Sequence, residues 1–162
     1  MLMNEIKRRT ILLIEDNNVD AEVARLVVQK SDPSSNVIRV RDGQEALDYI
    51  FRMGPYADRE DENPDVVLLD LCLPKVDGID VLRALKSNEL TKNIPVIALT
   101  GSAQESDVGE SYLVGVNSYL LKPLGASEFT DVVSQIGFFR GMLDKLPIKT
   151  PAPGGRDTRS EE

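Results

Sequence analysis

Short, almost wholly apolar runs alternate along this chain with longer amphipathic segments, and four of those runs stop on a reactive side chain. Residues 11–14 end at Glu15-Asp16, residues 66–69 at Asp70, residues 96–99 at Thr100, and residues 119–121 at Lys122-Pro123. Apolar runs this short suit strands buried on both faces, and such strands belong to parallel sheets whose connections are helices. Parallel strands place their C-terminal ends at one edge of the sheet, where open α/β sheets bind ligands. The terminating residues should therefore converge there. Three carboxylates, one hydroxyl and one ammonium in a single cleft suit a divalent cation and a phosphoryl group rather than a general acid–base pair.

The carboxylates alone would repel. Two unit charges about 4 Å apart cost roughly 4 kcal/mol at an effective dielectric near 20, and a third adds to this. Such a cluster needs a cation or raised pKa values. An all-oxygen site with few protein ligands suits Mg²⁺, which keeps several waters and shares itself with a phosphate. Any one of these acids taken alone reads as a helix cap or a solvated loop carboxylate. Asp16 and Asp70 ending two core-type strands, with Lys122 ending a third, argue against that reading.

Five strand–helix units can be traced. Strands are expected at residues 10–14, 36–40, 66–69, 96–99 and 118–121. A first helix over residues 19–30 carries Val19, Val23, Leu26 and Val27 at i, i+4, i+7 and i+8, the spacing of a core stripe. Asp42 is placed to cap a second helix, and Asp77-Gly78 opens a third bearing Ile79, Leu82 and Leu85. The Gly- and Pro-broken stretch 53–64 reads as a long surface connection with room to extend the second helix by a turn. A fourth helix over residues 105–114 contains Ser106, Gly109 and Ser111 and should be among the weakest elements, since glycine in a helix costs about 1 kcal/mol relative to alanine. A fifth helix from Ala126 presents Phe129, Val132, Val133 and Ile136 to the core. The expected fold is α/β, a doubly wound parallel five-stranded (βα)5 sheet of flavodoxin-like order 2-1-3-4-5. Its switch point lies between strands one and three, between Glu15-Asp16 and Asp70.

The 162 residues, 41% of them hydrophobic, accommodate one domain with a short tail. The expected division is a lead-in over 1–9, the domain over 10–146 with an extended last helix, and a tail over 147–162 too poor in apolar residues to order itself. A net charge of −8 argues against nucleic-acid binding. Cys72 is the one cysteine, so no internal disulfide forms, and no apolar run is long enough for a signal or membrane segment. A cytoplasmic protein with no membrane partner is expected. The absence of histidine excludes a histidine phosphodonor, a His-ligated zinc and a Ser-His-Asp triad.

From Thr10 to Phe139 the chain resembles the response-regulator receiver domain, the CheY-like phosphoacceptor module of two-component signalling. The motifs are Glu15-Asp16, the strand ending at Asp70, the Leu73-Pro74-Lys75-Val76-Asp77-Gly78 loop, Thr100-Gly101, and Asn117 through Lys122-Pro123. The Asn17-Asn18-Val19-Asp20 opening, the long segment after Arg52 and the Phe138-Phe139 ending are most similar to the single-domain regulators that partner phytochrome-type histidine kinases. The resemblance implies a signalling protein rather than an enzyme, phosphorylated on Asp70 by a sensor histidine kinase. It implies Mg²⁺, with Mn²⁺ an acceptable substitute, held by Asp16, Asp70 and the backbone carbonyl of Cys72, with Glu15 acting through a water. Lys122 would pair with Asp70 and then with the phosphoryl group, across a Lys122–Pro123 bond that is typically cis in this family. Thr100 would bind the phosphoryl group and Tyr119 would report it, switching the face of the fourth helix, fifth strand and fifth helix for a downstream protein target. Cys72 reads as a buried thiol, Asp20 and Asp77 as helix or turn residues, Lys75 as a solvated loop residue, and Gly101 as the small residue that leaves phosphate access. Phe138, Phe139, Met142, Leu143 and Leu146 exceed what the core needs and point to a homodimer.

Two other classes share parts of this pattern. A haloacid-dehalogenase-type phosphatase also uses a strand-end aspartate with Mg²⁺, but places a second Asp two residues later, where this chain has Cys72. A flavodoxin-like cofactor carrier needs a Ser/Thr/Gly-rich phosphate cradle, and the loop Glu15-Asp16-Asn17-Asn18 would repel a phosphate without a metal. A third reading, a module that docks partners regardless of phosphorylation, is disfavoured by the presence of all five active-site side chains.

Overall fold

The computed structural model describes residues 8–73, 75–101 and 115–145, with side chains described through residue 136. Strands β1 (Thr10–Ile14), β2 (Asn36–Val40), β3 (Val66–Asp70), β4 (Val96–Thr100) and β5 (Ser118–Leu121) form one parallel sheet in the order β2-β1-β3-β4-β5. This is the expected topology, with β1 and β3 adjacent at the switch point. Helices α1 (Asn18–Ser31), α2 (Gly43–Phe51) and α3 (Gly78–Ser87) connect the strands, and a last helix spans Ala126–Lys145. The chain divides into two units, Met1–Thr130 and Asp131–Glu162, and the last helix runs from the first into the second. The helix expected over 105–114, residues 1–7 of the lead-in and the tail fall outside the described residues.

β3 and β4 are buried at every position, which is why their sequences carry no polar alternation. Leu12, Ile14, Val67, Leu69 and Val96 face one side, where Ile50 of α2 and Leu82 and Leu85 of α3 complete the main core. Asp42 caps α2 by accepting from the Glu45 amide at 2.8 Å, and Asp77 caps α3 by accepting from the Ile79 amide at 3.5 Å, as their positions predict. Phe129 is 1% exposed, while Val132, Val133 and Ile136 are half-buried.

Two expectations need correction. The residues that α1 buries are Ala21, Ala24 and Val28, whereas Val19 is 71% and Leu26 54% exposed. Small alanines form the sheet-facing stripe, so the larger apolar residues are left on the outer surface. The second helix also does not extend through its connection. Arg52 ends α2 in the left-handed conformation (φ 56°), and a separate 3-10 turn follows at Gly54–Tyr56.

That connection is nonetheless firmly built. The Arg59 side chain, 7% exposed, donates to the last carbonyls of α2, Tyr49 at 2.9 Å and Ile50 at 3.4 Å, and to Asn63 Oδ1 at 2.9 Å. Its guanidinium carbon stacks 4.1 Å from the Tyr49 ring centre. Arg52 donates to the Arg59 and Asp61 carbonyls at 3.0 and 2.7 Å.

Candidate functional site

Parallel pairing carries the expected residues to one edge. Ile14 lies opposite Leu69, Asp70 opposite Leu99 and Thr100 opposite Leu121, so Glu15, Asp70, Thr100 and Lys122 all fall at the C-terminal ends of adjacent strands. The Lys122 amide extends the ladder by donating to the Thr100 carbonyl at 2.8 Å. The Lys122–Pro123 bond is cis, as the resemblance implies.

Lys122 is the hub of the site. Its ammonium lies 3.1 and 3.3 Å from the two oxygens of Glu15, 3.0 Å from Asp20 Oδ2 and 3.3 Å from Asp70 Oδ2. Asp20 is where the structure departs from expectation: it is a helix residue whose carboxylate nevertheless joins the lysine. The sequence marks Asp20 only as an acid in the first turn of a helix that starts beside the site, which by itself reads as a helix-terminus residue.

The electrostatics are those of a crowded anionic cleft. Glu15 is fully buried and Asp70 is 3% exposed. Burial, and then the neighbouring Asp70 charge, push the Glu15 carboxyl up to about 7 despite the opposing pull of Lys122. Burial works against the charge on Lys122, but the hydrogen bond to Asp20, the Asp70 charge and Glu15 outweigh it. The ammonium is held above the usual lysine range.

Glu15, the exposed Asp16 and Asp70 present carboxylate oxygens within 4.8 Å of one another. These hard oxygen donors fit a small divalent cation. Asp70 Oδ1 accepts from the Cys72 amide at 3.0 Å, which orients the carboxylate. The Cys72 side chain is exposed, contrary to the buried thiol expected, because it follows the strand end rather than lying within the strand.

Two glycines hold the loop after β3 in place. A Cβ on Gly78 would lie 2.6 Å from the Asp70 carbonyl oxygen and 2.6 Å from Leu71 Cα, so α3 can start against the site only with glycine there. A Cβ on Gly43 would lie 2.2 Å from the Val76 carbonyl oxygen, which brings the start of α2 onto the same loop. Lys75 is the solvated loop residue expected, at φ 68° and with its exposed ammonium 3.3 Å from Asp42.

The model for the response regulator receiver domain matches residues 11–134. The chain belongs to this family. Its relatives include the response regulator Rcp1 of Synechocystis sp., 37% identical over 81% of this chain and 88% of Rcp1. Among solved structures, the bacteriophytochrome response regulator RtBRR is 44% identical with a TM-score of 0.74, covering 81% of this chain and 79% of that one. The phosphorylated cyanobacterial phytochrome response regulator RcpA is 37% identical with a TM-score of 0.70, over 88% and 100%. The Mn²⁺-bound form of Rcp1 is 35% identical with a TM-score of 0.68, over 88% and 99%. The receiver thus has close relatives among phytochrome response regulators, and receivers are signalling modules. Among the described residues no helix is long and apolar enough to cross a membrane.

The remaining expected receiver positions are also placed. Thr100 is buried at the end of β4, and among the described residues a Cβ on the following Gly101 would meet nothing within 4 Å. Tyr119, opposite Ala98 on β5, packs half-buried against the main core.

Proposed function

We propose that this receiver accepts a phosphoryl group on Asp70 from a histidine kinase of the phytochrome type. The observation that carries the reading is the contact between Lys122 and a nearly buried Asp70 at a strand end that also gathers Glu15 and Asp16. An Asp70 oxygen attacks the phosphorus of a phosphohistidine. The P–O bond forms as the P–N bond breaks, and the imidazole leaves with the bonding pair to take a proton from water.

Asp16, Asp70 and the Cys72 carbonyl would hold Mg²⁺ or Mn²⁺, with Glu15 acting through a water; the metal supplies neutralisation of the charge on the transferred group. Lys122 follows the phosphoryl oxygens, Thr100 donates its hydroxyl to them, and Tyr119 carries the change to the outer face of β5, where a downstream protein binds. The exposed Val19 and Leu26 on α1, the helix whose first turn carries Asp20, support docking of an apolar partner surface on this helix. The dimer reading rests on Phe138, Phe139, Met142, Leu143 and Leu146, which lie outside the described side chains. Sedimentation of wild type against the Phe138→Asp, Phe139→Asp double variant tests it.

The central test is incubation with acetyl phosphate and Mg²⁺ followed by intact mass. One added phosphoryl group is expected, lost with Asp70→Asn and with a chelator. Full labelling of Asp70→Asn would move the nucleophile elsewhere.

A further inference from the structure

Among the described residues, Asp20 is the one carboxylate on Lys122 to which the metal and phosphoacceptor readings assign no task. It is the third residue of α1, and its amide donates to the Asn17 side chain at 2.9 Å. In a capping box the side chain at this position reaches back to the cap residue's own N–H. Here that N–H, on Asn17, is taken instead by Glu15 Oε2 at 3.2 Å. The Asp20 carboxylate is therefore released from the cap. It makes the shortest of the contacts to the Lys122 ammonium, at 3.0 Å.

An ammonium has three N–H donors. Lys122 directs them at Glu15, Asp20 and Asp70. Once Asp70 becomes an acyl phosphate its carboxylate charge is gone, and the N–H that faced it is the one left for a phosphoryl oxygen. Charge-assisted bonds to Glu15 and Asp20 would hold the other two, and two held donors fix the direction of the third. With Asp20 removed, one of those anchors is missing and the lysine can swing about Glu15.

We propose that Asp20 is a positioning residue for phosphoryl transfer, clamping Lys122 together with Glu15 so that one N–H stays aimed at the group formed on Asp70. The proposal deepens the reading of Asp70 as phosphoacceptor and rests on it.

The test is the rate of labelling by acetyl phosphate with saturating Mg²⁺ at high ionic strength, where long-range effects of a changed charge are screened. Asp20→Asn should label about tenfold more slowly than wild type, the scale of the charge removed from one charge-assisted bond, and Asp20→Glu should fall between the two. In a Lys122→Ala background, Asp20→Asn should cause no further loss, an outcome that a general electrostatic or structural role would not produce. Thermal melts of each variant check the fold.

If wild type labels and Asp70→Asn does not, yet Asp20→Asn keeps the wild-type rate or loses equally without Lys122, the positioning role is overturned while the phosphoacceptor reading stands. If wild type takes no label, both fall.

Discussion

Replacing Gly78 with alanine sets two effects of opposite sign against each other. Alanine lowers the conformational entropy of the unfolded chain, a gain of about 0.4–1 kcal/mol where the backbone tolerates it. The same methyl group would meet the Asp70 carbonyl oxygen and Leu71 Cα at 2.6 Å and the Leu71 carbonyl oxygen at 2.8 Å. All three are backbone atoms, so no side chain can rotate away. Either α3 or the loop bearing Asp70 must shift by several tenths of an ångström. Overpacking of this kind costs about 1–3 kcal/mol, and rigid neighbours favour the upper end. The overlap wins, and the net destabilisation should be about 2 kcal/mol. In a domain of this size that corresponds to a melting temperature lower by roughly 4–8 °C. Urea denaturation gives the free energy and calorimetric titration with Mg²⁺ gives the functional half, since the displaced segment carries Asp70: metal affinity should fall as well. Unchanged or increased stability would refute the reasoning, because the entropy gained from alanine would then outweigh the overlap.

Glu15 makes metal-free stability depend on pH. Its carboxyl lies near 7 in the fold against a reference of 4.5, so between those values the folded protein binds a proton that the unfolded chain does not. The stabilisation is complete below pH 4.5 and is lost as pH rises through 7, by at most about 3 kcal/mol. Denaturation midpoints in a chelator should fall across this window and flatten in Glu15→Gln; midpoints that rise with pH would contradict the assignment. Leu26→Asp should leave labelling by acetyl phosphate intact and stability within about 0.5 kcal/mol, as at other exposed sites. It should slow transfer from a phosphorylated partner kinase, and equal transfer would remove α1 from the docking surface.

The sheet was legible because buried parallel strands leave a plain mark: Val66–Asp70 and Val96–Thr100 are apolar up to the residue that does the work. Convergence of Glu15, Asp70 and Lys122 followed from strand direction alone. The outer face of α1 was not legible. Val19 and Leu26 have the spacing of a core stripe, and a hydrophobic pattern cannot say whether an apolar face meets the sheet or another molecule. Asp20 was hidden for a related reason, since its amide does take part in the cap expected of it while its carboxylate answers to a lysine 102 positions away. The close approaches at Gly43 and Gly78 depend on which loop lies above each helix start, and that is tertiary information.

The polar segment between α2 and β3 would ordinarily be regarded as replaceable, yet Arg59 makes it part of the α2 terminus. Its guanidinium occupies the Tyr49 and Ile50 carbonyls and covers the Tyr49 ring, so excising the segment would strand groups that belong to the core. In this chain a shorter connection would have to satisfy the two carbonyls and cover the ring by other means. The segment and the end of α2 therefore act as one unit, and removing the first should destabilise the second.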